Sequence, residues 1–381
     1  MARLLATLLA STMVLQVVAE NGQTAINLND MNTMFNFGDS YSTTGYVPKK
    51  GKVKELKGMG ETTSGGYNWV QFLAYSQPKL ATSYYDFARS GATVNNSVVP
   101  SNAQSFVDQF KLWKEWFVGN ESEVKWASES TLFTIWFGIN DVGYMTELNL
   151  NGTRQEPLIF DTYTKLVNEL YDLGARNILF LNVPPTHKTP YVKTKSAKDI
   201  ATFETLIASY NHRLFSFVTN LVDLHPEMKV ALFDTQSFFT TILDSPQQYG
   251  FKQSTNFCDQ YTWSSNNPNN TQAACGGSLE QYVWYNPYHP SWAVHRLMSL
   301  VIEDMLSPPE RILISDPFDR TAFVPHNSAL LGPFQLNWGA LVFFLVIAVF
   351  AAQTVDWRQC ADEVLGRKRE EGYEYVESES V

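Results

Sequence analysis

From Met34 to Leu306, short apolar runs alternate with longer amphipathic ones. "TMFNFGDS", "YYDFARSG", "TLFTIWFGIND", "RNILFLNVPP" and "KVALFDTQ" read as buried strands with polar or glycine-bearing exits. The runs between them have helical periodicity: "YNWVQFLAYSQ", "NAQSFVDQFKLWKEWFVG", "DTYTKLVNELYDLGA" ending near Gly174, and a long helix from about Ala197 to Leu224. In the second, Phe106, Phe110, Trp113 and Phe117 fall three and four residues apart and so share one face. A last helix, "HPSWAVHRLMSLVIEDML", is stopped by "SPP". Strands alternating with helices predict an α/β fold, a parallel sheet of about five strands with helices on both faces. Right-handed crossovers bring every strand exit to one sheet edge, where ligands bind. Gly38-Asp39-Ser40, Ser90-Gly91 and Gly138-Ile139-Asn140-Asp141 all sit at such exits. Residues 42–66 and 250–282 fall outside the alternation and read as surface loops of the kind that cover a site.

The two ends have a different pattern. "MARLLATLLASTMVLQVVAE" has a positive start at Arg3, an apolar run and small residues at Val17-Val18-Ala19, which predicts a signal peptide over 1–19 with Glu20 as mature start. Residues 336–355 carry no charge and are long enough to span a bilayer, with Trp338 and Trp357 near the edges. Arg358, Arg367, Lys368 and Arg369 follow, which places the acidic, disordered tail 356–381 in the cytoplasm. The expectation is a single-pass type I membrane protein whose domain, residues 20–335, is extracellular or lumenal. Within the tail, "YEYV" fits a tyrosine-based sorting signal, a short pattern that also arises often by chance.

Composition agrees with that placement. A net charge of -10 argues against a nucleic-acid partner. Of three cysteines, Cys258 and Cys275 are candidates for a disulfide, and Cys360 sits where palmitoylation occurs. Their spacing fits no zinc pattern, so no metal is expected. Asn95, Asn120, Asn151 and Asn269 each open an N-x-[ST] glycosylation sequon.

The candidate chemistry is acyl transfer. Ser40 follows an apolar strand and a tight Gly-Asp turn, which presents a hydroxyl at the open sheet edge. A serine needs a base to become a nucleophile, and His289, read as opening the last helix with Pro290 in its first turn, is the best of six histidines. Donors for a developing oxyanion are the Ser40 and Gly91 N–H groups and the Asn140 side-chain amide. Taken singly, each is an ordinary turn or capping residue. Taken in order, with three at successive strand exits, they point to one site.

On these residues the chain resembles the GDSL or SGNH hydrolases. The blocks stand as "FNFGDSYS", "ARSGATVNN", "FGIND" and "NPYHP", spread over nearly all of Met34 to Leu306. The wording "FNFGDSYSTTGY" and "YHPSWAVHRL" is most similar to the fungal acetylesterase-like branch, carbohydrate esterase family 16. The resemblance implies a three-layer α/β/α sandwich with Ser40 as nucleophile and His289 as base. It implies an oxyanion hole of Ser40, Gly91 and Asn140, and no cofactor. The implied reaction is hydrolysis of an acetylated sugar or oligosaccharide through an acyl-enzyme. Some of the ten tryptophans are available to stack on sugar rings, though none is assigned.

One residue departs from the family pattern. Three positions before His289, where the family usually has aspartate, stands Asn286. An asparagine oxygen can hold the imidazole but cannot stabilise imidazolium by charge. Its amide can also turn round and favour the wrong tautomer, a change that costs about 10⁴ in rate in a serine protease triad. Asp141 and Asp234, at other strand exits, are candidates to compensate. Two alternatives stand beside the carbohydrate esterase: a lipid or other short-chain ester hydrolase, and a surface binding protein with little turnover, supported by Asn286 alone.

Overall fold

The computed structural model describes residues 14–17, 26–46, 60–119, 122, 124–262 and 271–306. Five strands form the parallel sheet: β2 (Thr33–Gly38), β3 (Tyr84–Asp86), β4 (Thr131–Trp136), β5 (Asn177–Leu181) and β6 (Lys229–Phe233). Their order across the sheet is β6-β5-β4-β2-β3. A short strand β1 (Val14–Val17) runs antiparallel along β6. It lies inside the expected signal peptide, where an apolar, valine-rich stretch meets an otherwise open sheet edge. The rest of that leader lies outside the described residues.

The parallel part of the sheet starts in β2, steps to one side for β3 and returns to the other for β4. The exits of β2 and β4 therefore flank the point where the winding reverses, which leaves a crevice at the carboxyl edge of the sheet. Ser40 and Asn140 follow these two strands.

Every position but one in the five parallel strands is buried, so these strands read as near-continuous apolar runs. Side chains still alternate between two cores. Phe35, Phe37, Phe133, Ile135 and Phe180 face the first core; Met34, Leu132, Trp136, Leu179 and Leu181 face the second. The first is covered by α2 (Phe106–Phe117), α4 (Gly152–Asp172) and α5 (Ala197–Leu224). The second is covered by α1 (Trp69–Ser76), α6 (Thr235–Asp244) and α7 (Trp292–Met305). The result is an α/β sandwich of three layers, as the alternation predicts. Phe106, Phe110, Trp113 and Phe117 are all buried on the inner face of α2. Ser105 and Asp108 start that helix as a reciprocal capping box.

Several expectations are corrected. α4 begins at Gly152 and passes through Pro157, a residue that normally marks a boundary, because Asn151 caps the earlier start by accepting from the Arg154 N–H. α3 (Ile139–Glu147) and α6 start directly at strand exits, where the sequence pattern shows only the exit. Asp234 caps α6 through the Ser237 N–H. The last helix starts at Trp292, not at His289. Pro290 disfavours helical backbone at His289, and Pro290 makes a bridge with Trp284.

The two presumed surface loops are largely structural where described. Ser42, Thr44 and Ser64 are buried, and Thr44 donates from both its N–H and Oγ1 to Asp86 Oδ2 at 2.7 and 2.8 Å. Asn36 Nδ2 donates to the other oxygen of Asp86, and Thr134 Oγ1 donates to Asn36 Oδ1. This buried network ties β2, β3 and β4 to the segment after the Ser40 turn. In the second segment, Cys258 and Cys275 form a disulfide beside a small core of Tyr261, Leu279, Tyr282 and Tyr285. Residues 47–59 and 263–270 of these segments lie outside the described residues. So do the expected membrane span, Cys360, the tail, Asn120 and Asn269. Among the described residues no helix is long and apolar enough to cross a membrane.

At the β4 exit, Gly138 has φ +117° and caps α3. A side chain there would begin 2.5 Å from Val183 Cγ2 and 2.6 Å from Tyr210 Cε1. Gly138→Ala is expected to lower unfolding free energy by about 3 kcal/mol through strain and overpacking. Urea denaturation of the variant beside wild type measures this, and an unchanged midpoint would refute the packing described.

Candidate active site

Ser40 sits in the turn after β2 and is 7% exposed. The turn is held from several directions. Asp39 Oδ1 accepts the Tyr41 N–H at 2.9 Å, and the Asp39 carbonyl accepts from Ser42 and Thr43. Thr63 Oγ1 donates to the Ser40 carbonyl at 2.6 Å. The Ser40 side chain is thereby presented to a residue 249 positions away: Ser40 Oγ lies 2.8 Å from His289 Nε2.

His289 is half-buried and is positioned by the loop before α7. Tyr41, next to Ser40, reaches across and donates its hydroxyl to the Tyr288 carbonyl at 2.5 Å. Its ring also lies 5.5 Å from that of His289. One side chain therefore spans from the Ser40 turn to the His289 loop. Neither Tyr41 nor Thr63 stands out in the sequence, because their roles depend on contacts across the fold.

Asn286 does face His289. Its Oδ1 lies 2.9 Å from His289 Nδ1, and the same oxygen accepts the N–H groups of Tyr288 and His289, each at 2.9 Å. Backbone N–H groups only donate, so they require the oxygen of Asn286, not its nitrogen, at that point. The amide reversal that sequence alone leaves open is excluded by this Asx turn. His289 Nδ1 must then carry a proton and donate to Oδ1. Nε2 is left with a free lone pair, which accepts the Ser40 hydroxyl.

Among the described residues no carboxylate is bonded to the imidazole. Asp141, one candidate substitute, accepts from the Val94 N–H. Asp234, the other, accepts from Asn182 Nδ2 and from Ser237. Burial alone pushes the His289 pKa down, from 6.5 to about 4. At neutral pH the ring is thus neutral and able to accept a proton. Asp39 and Asp141, beside the candidate oxyanion donors in the chain, are both buried and pushed up to about 7, chiefly by desolvation. Below that pH they are largely neutral and put little negative charge beneath the site.

The oxyanion candidates lie at adjacent strand exits. The Arg89 N–H donates to the Gly38 carbonyl at 3.1 Å and links the β2 and β3 exits. Asn140 Nδ2 donates one hydrogen to the Ala92 carbonyl at 3.0 Å and links the β3 and β4 exits, leaving its second hydrogen for another acceptor. Gly91 has φ +82°, a conformation in which L side chains are strained. Among the described residues no acceptor is paired with the Ser40 or Gly91 N–H. No group of His, Cys, Asp and Glu side chains among them is arranged to hold a metal ion.

With a hydroxyl, a neutral imidazole and spare N–H donors at one sheet edge, the arrangement can run acyl transfer. The GDSL-like Lipase/Acylhydrolase family profile matches residues 34–302, and the chain belongs to that family. An acetylesterase of Thermothelomyces thermophilus is 30% identical over 71% of this chain and 87% of its own length. An acetylesterase of Hypocrea jecorina is 23% identical, covering 69% and 85%. Among solved structures, the acetylxylan esterase Axe2 of Geobacillus stearothermophilus matches at 17% identity over 72% of this chain and 94% of its own, with a TM-score of 0.39. Family and relatives make this chain a carboxylic ester hydrolase.

A base must be unprotonated to act, so activity should be full above the His289 pKa and fall as pH drops through it. For wild type the acid limb of kcat/KM is expected near pH 4, below the ordinary histidine value of 6.5. In Asn286→Asp a carboxylate accepts the same three N–H groups and favours imidazolium. The limb should then move up by roughly one to three pH units, and kcat should hold or rise. A pH series of kcat/KM on both enzymes decides this. An unmoved limb would mean that residue 286 does not face the ring.

Proposed function

We propose that the protein hydrolyses acetyl esters of a carbohydrate through an acyl-enzyme on Ser40. The observation that carries the reading is the chain of hydrogen bonds from Ser40 Oγ to His289 to Asn286 Oδ1, with the imidazole tautomer set by two backbone N–H groups. His289 Nε2 takes the Ser40 proton as Oγ attacks the ester carbonyl. The Ser40 and Gly91 N–H groups and Asn140 Nδ2 receive the oxyanion. His289 then gives the proton to the leaving sugar oxygen, and water repeats the sequence to release acetate. Asn286 orients the ring and holds Nδ1–H, and the imidazolium forms without a countercharge. Two fungal relatives named acetylesterase support the acetyl group as the acyl part.

The same proposal places the domain outside the cytoplasm, with the apolar segment 336–355 as membrane tether. The Cys258–Cys275 disulfide supports an oxidising compartment. Asn151 is exposed, and its capping bond uses Oδ1, so Nδ2 is left for a glycan. Asn95 is less open, because its Nδ2 donates to Thr162 Oγ1 at 3.1 Å. In a secreting eukaryotic host, Asn151→Gln is expected to remove one glycan from the mature protein. An unchanged mass would remove that site from the proposal.

Hydrolysis of acetylated xylo-oligosaccharides, short glycerides and p-nitrophenyl acetate should be compared for wild type and Ser40→Ala. Ser40→Ala is expected to lose at least ~10³-fold on every ester. Equal rates for the two proteins would end the serine mechanism. A clear preference of wild type for glycerides would end the carbohydrate reading but not the hydrolase assignment.

A further inference from the structure

Apolar side chains of this domain are mostly hidden, and Tyr288 is an exception, 47% exposed beside His289. Its ring centroid lies 6.1 Å from that of His289. Behind it, Tyr191 packs at 4.3 Å with the rings 34° apart. One face of Tyr288 is thus covered, so its exposed area lies on the opposite face and the rim. The pair is held from both sides. The Tyr191 N–H donates to the Pro287 carbonyl at 3.0 Å, and Tyr41 Oη donates to the Tyr288 carbonyl. The Tyr191 hydroxyl donates to Glu147 Oε1 at 2.9 Å and accepts from Lys195 Nζ, whose ammonium also lies over the Tyr191 ring.

In acyl transfer the base hands its proton to the leaving oxygen, so the leaving alcohol departs on the imidazole side of the site. Tyr288 is on that side. We propose that Tyr288, backed by Tyr191, is the platform on which the sugar ring of the leaving group stacks. A pyranose has an apolar face of C–H bonds and a rim of hydroxyls. An exposed phenol ring suits the apolar face, and its own hydroxyl lies where the rim can meet it. The sequence assigns no tryptophan to this purpose, and the proposal gives it to a tyrosine next to His289.

The inference rests on the carbohydrate-ester reading, and its test separates the two. The full chain, as wild type, Tyr288→Ala and Tyr288→Phe, is assayed on acetylated xylo-oligosaccharides and on ethyl acetate, whose leaving group has no ring to stack. The readout is the ratio of kcat/KM on the oligosaccharide to that on ethyl acetate. Tyr288→Ala should lower the ratio about tenfold, mostly through KM, and Tyr288→Phe should restore most of it. A ratio unmoved in Tyr288→Ala, whether both rates fall together or neither falls, overturns the platform and leaves the carbohydrate reading standing. A wild type that cleaves ethyl acetate but not the oligosaccharides overturns the carbohydrate reading itself.

Discussion

Three N–H groups converge on one oxygen, Asn286 Oδ1, and the candidate chemistry depends on that convergence. Two of the donors belong to the backbone and never change role. They set which end of the amide faces inward, the amide sets where the imidazole keeps its proton, and the imidazole sets which nitrogen meets Ser40. An asparagine in this place is costly when its nitrogen turns toward the histidine. Here the local turn removes that possibility, and what remains missing is charge. That separates two functions that an aspartate performs together, holding the ring and neutralising it.

The fold serves the same end at larger scale. The sheet reverses its winding between β2 and β4, which opens a crevice beside Ser40. Satisfied polar groups, not apolar contact alone, fix the exits. Asp86 receives Asn36, Thr44 and Ala88, and Gln109 donates from Nε2 to the Gly38 carbonyl while accepting the Gly38 N–H. Buried groups of this kind are expensive unless complete, so they specify one arrangement of the strand ends.

Much of this was legible in the sequence, for reasons that can be named. Strands buried on both faces are continuous apolar runs, and "TLFTIW" or "NILFL" has few other readings. The long helix from Ala197 to Leu224 declares itself by periodicity, and Ser196 caps it. The helices α3 and α6 start directly at strand exits, with no loop to mark them off from the strand before them. Pro157 and Pro290 mislead in opposite senses, the first inside a helix and the second before one. Ser40, His289 and Asn286 were nameable from their blocks, but the direction of the Asn286 amide was not. It is decided by the N–H groups of the next residues but one and two, a matter of backbone geometry. Tyr288 was hidden for a different reason: exposure beside a base is a property of the surface, and a tyrosine in a string of aromatics carries no mark of it.

The missing charge has a consequence for the surroundings in which the protein works. Ester hydrolysis releases a carboxylic acid, and in a poorly buffered space each turnover adds a proton. A histidine backed by a carboxylate holds that proton more readily, so such an enzyme is slowed by its own product. A histidine pushed down to about 4 is not. The asparagine brings no countercharge to the imidazolium, and the buried ring stays neutral as its neighbourhood sours.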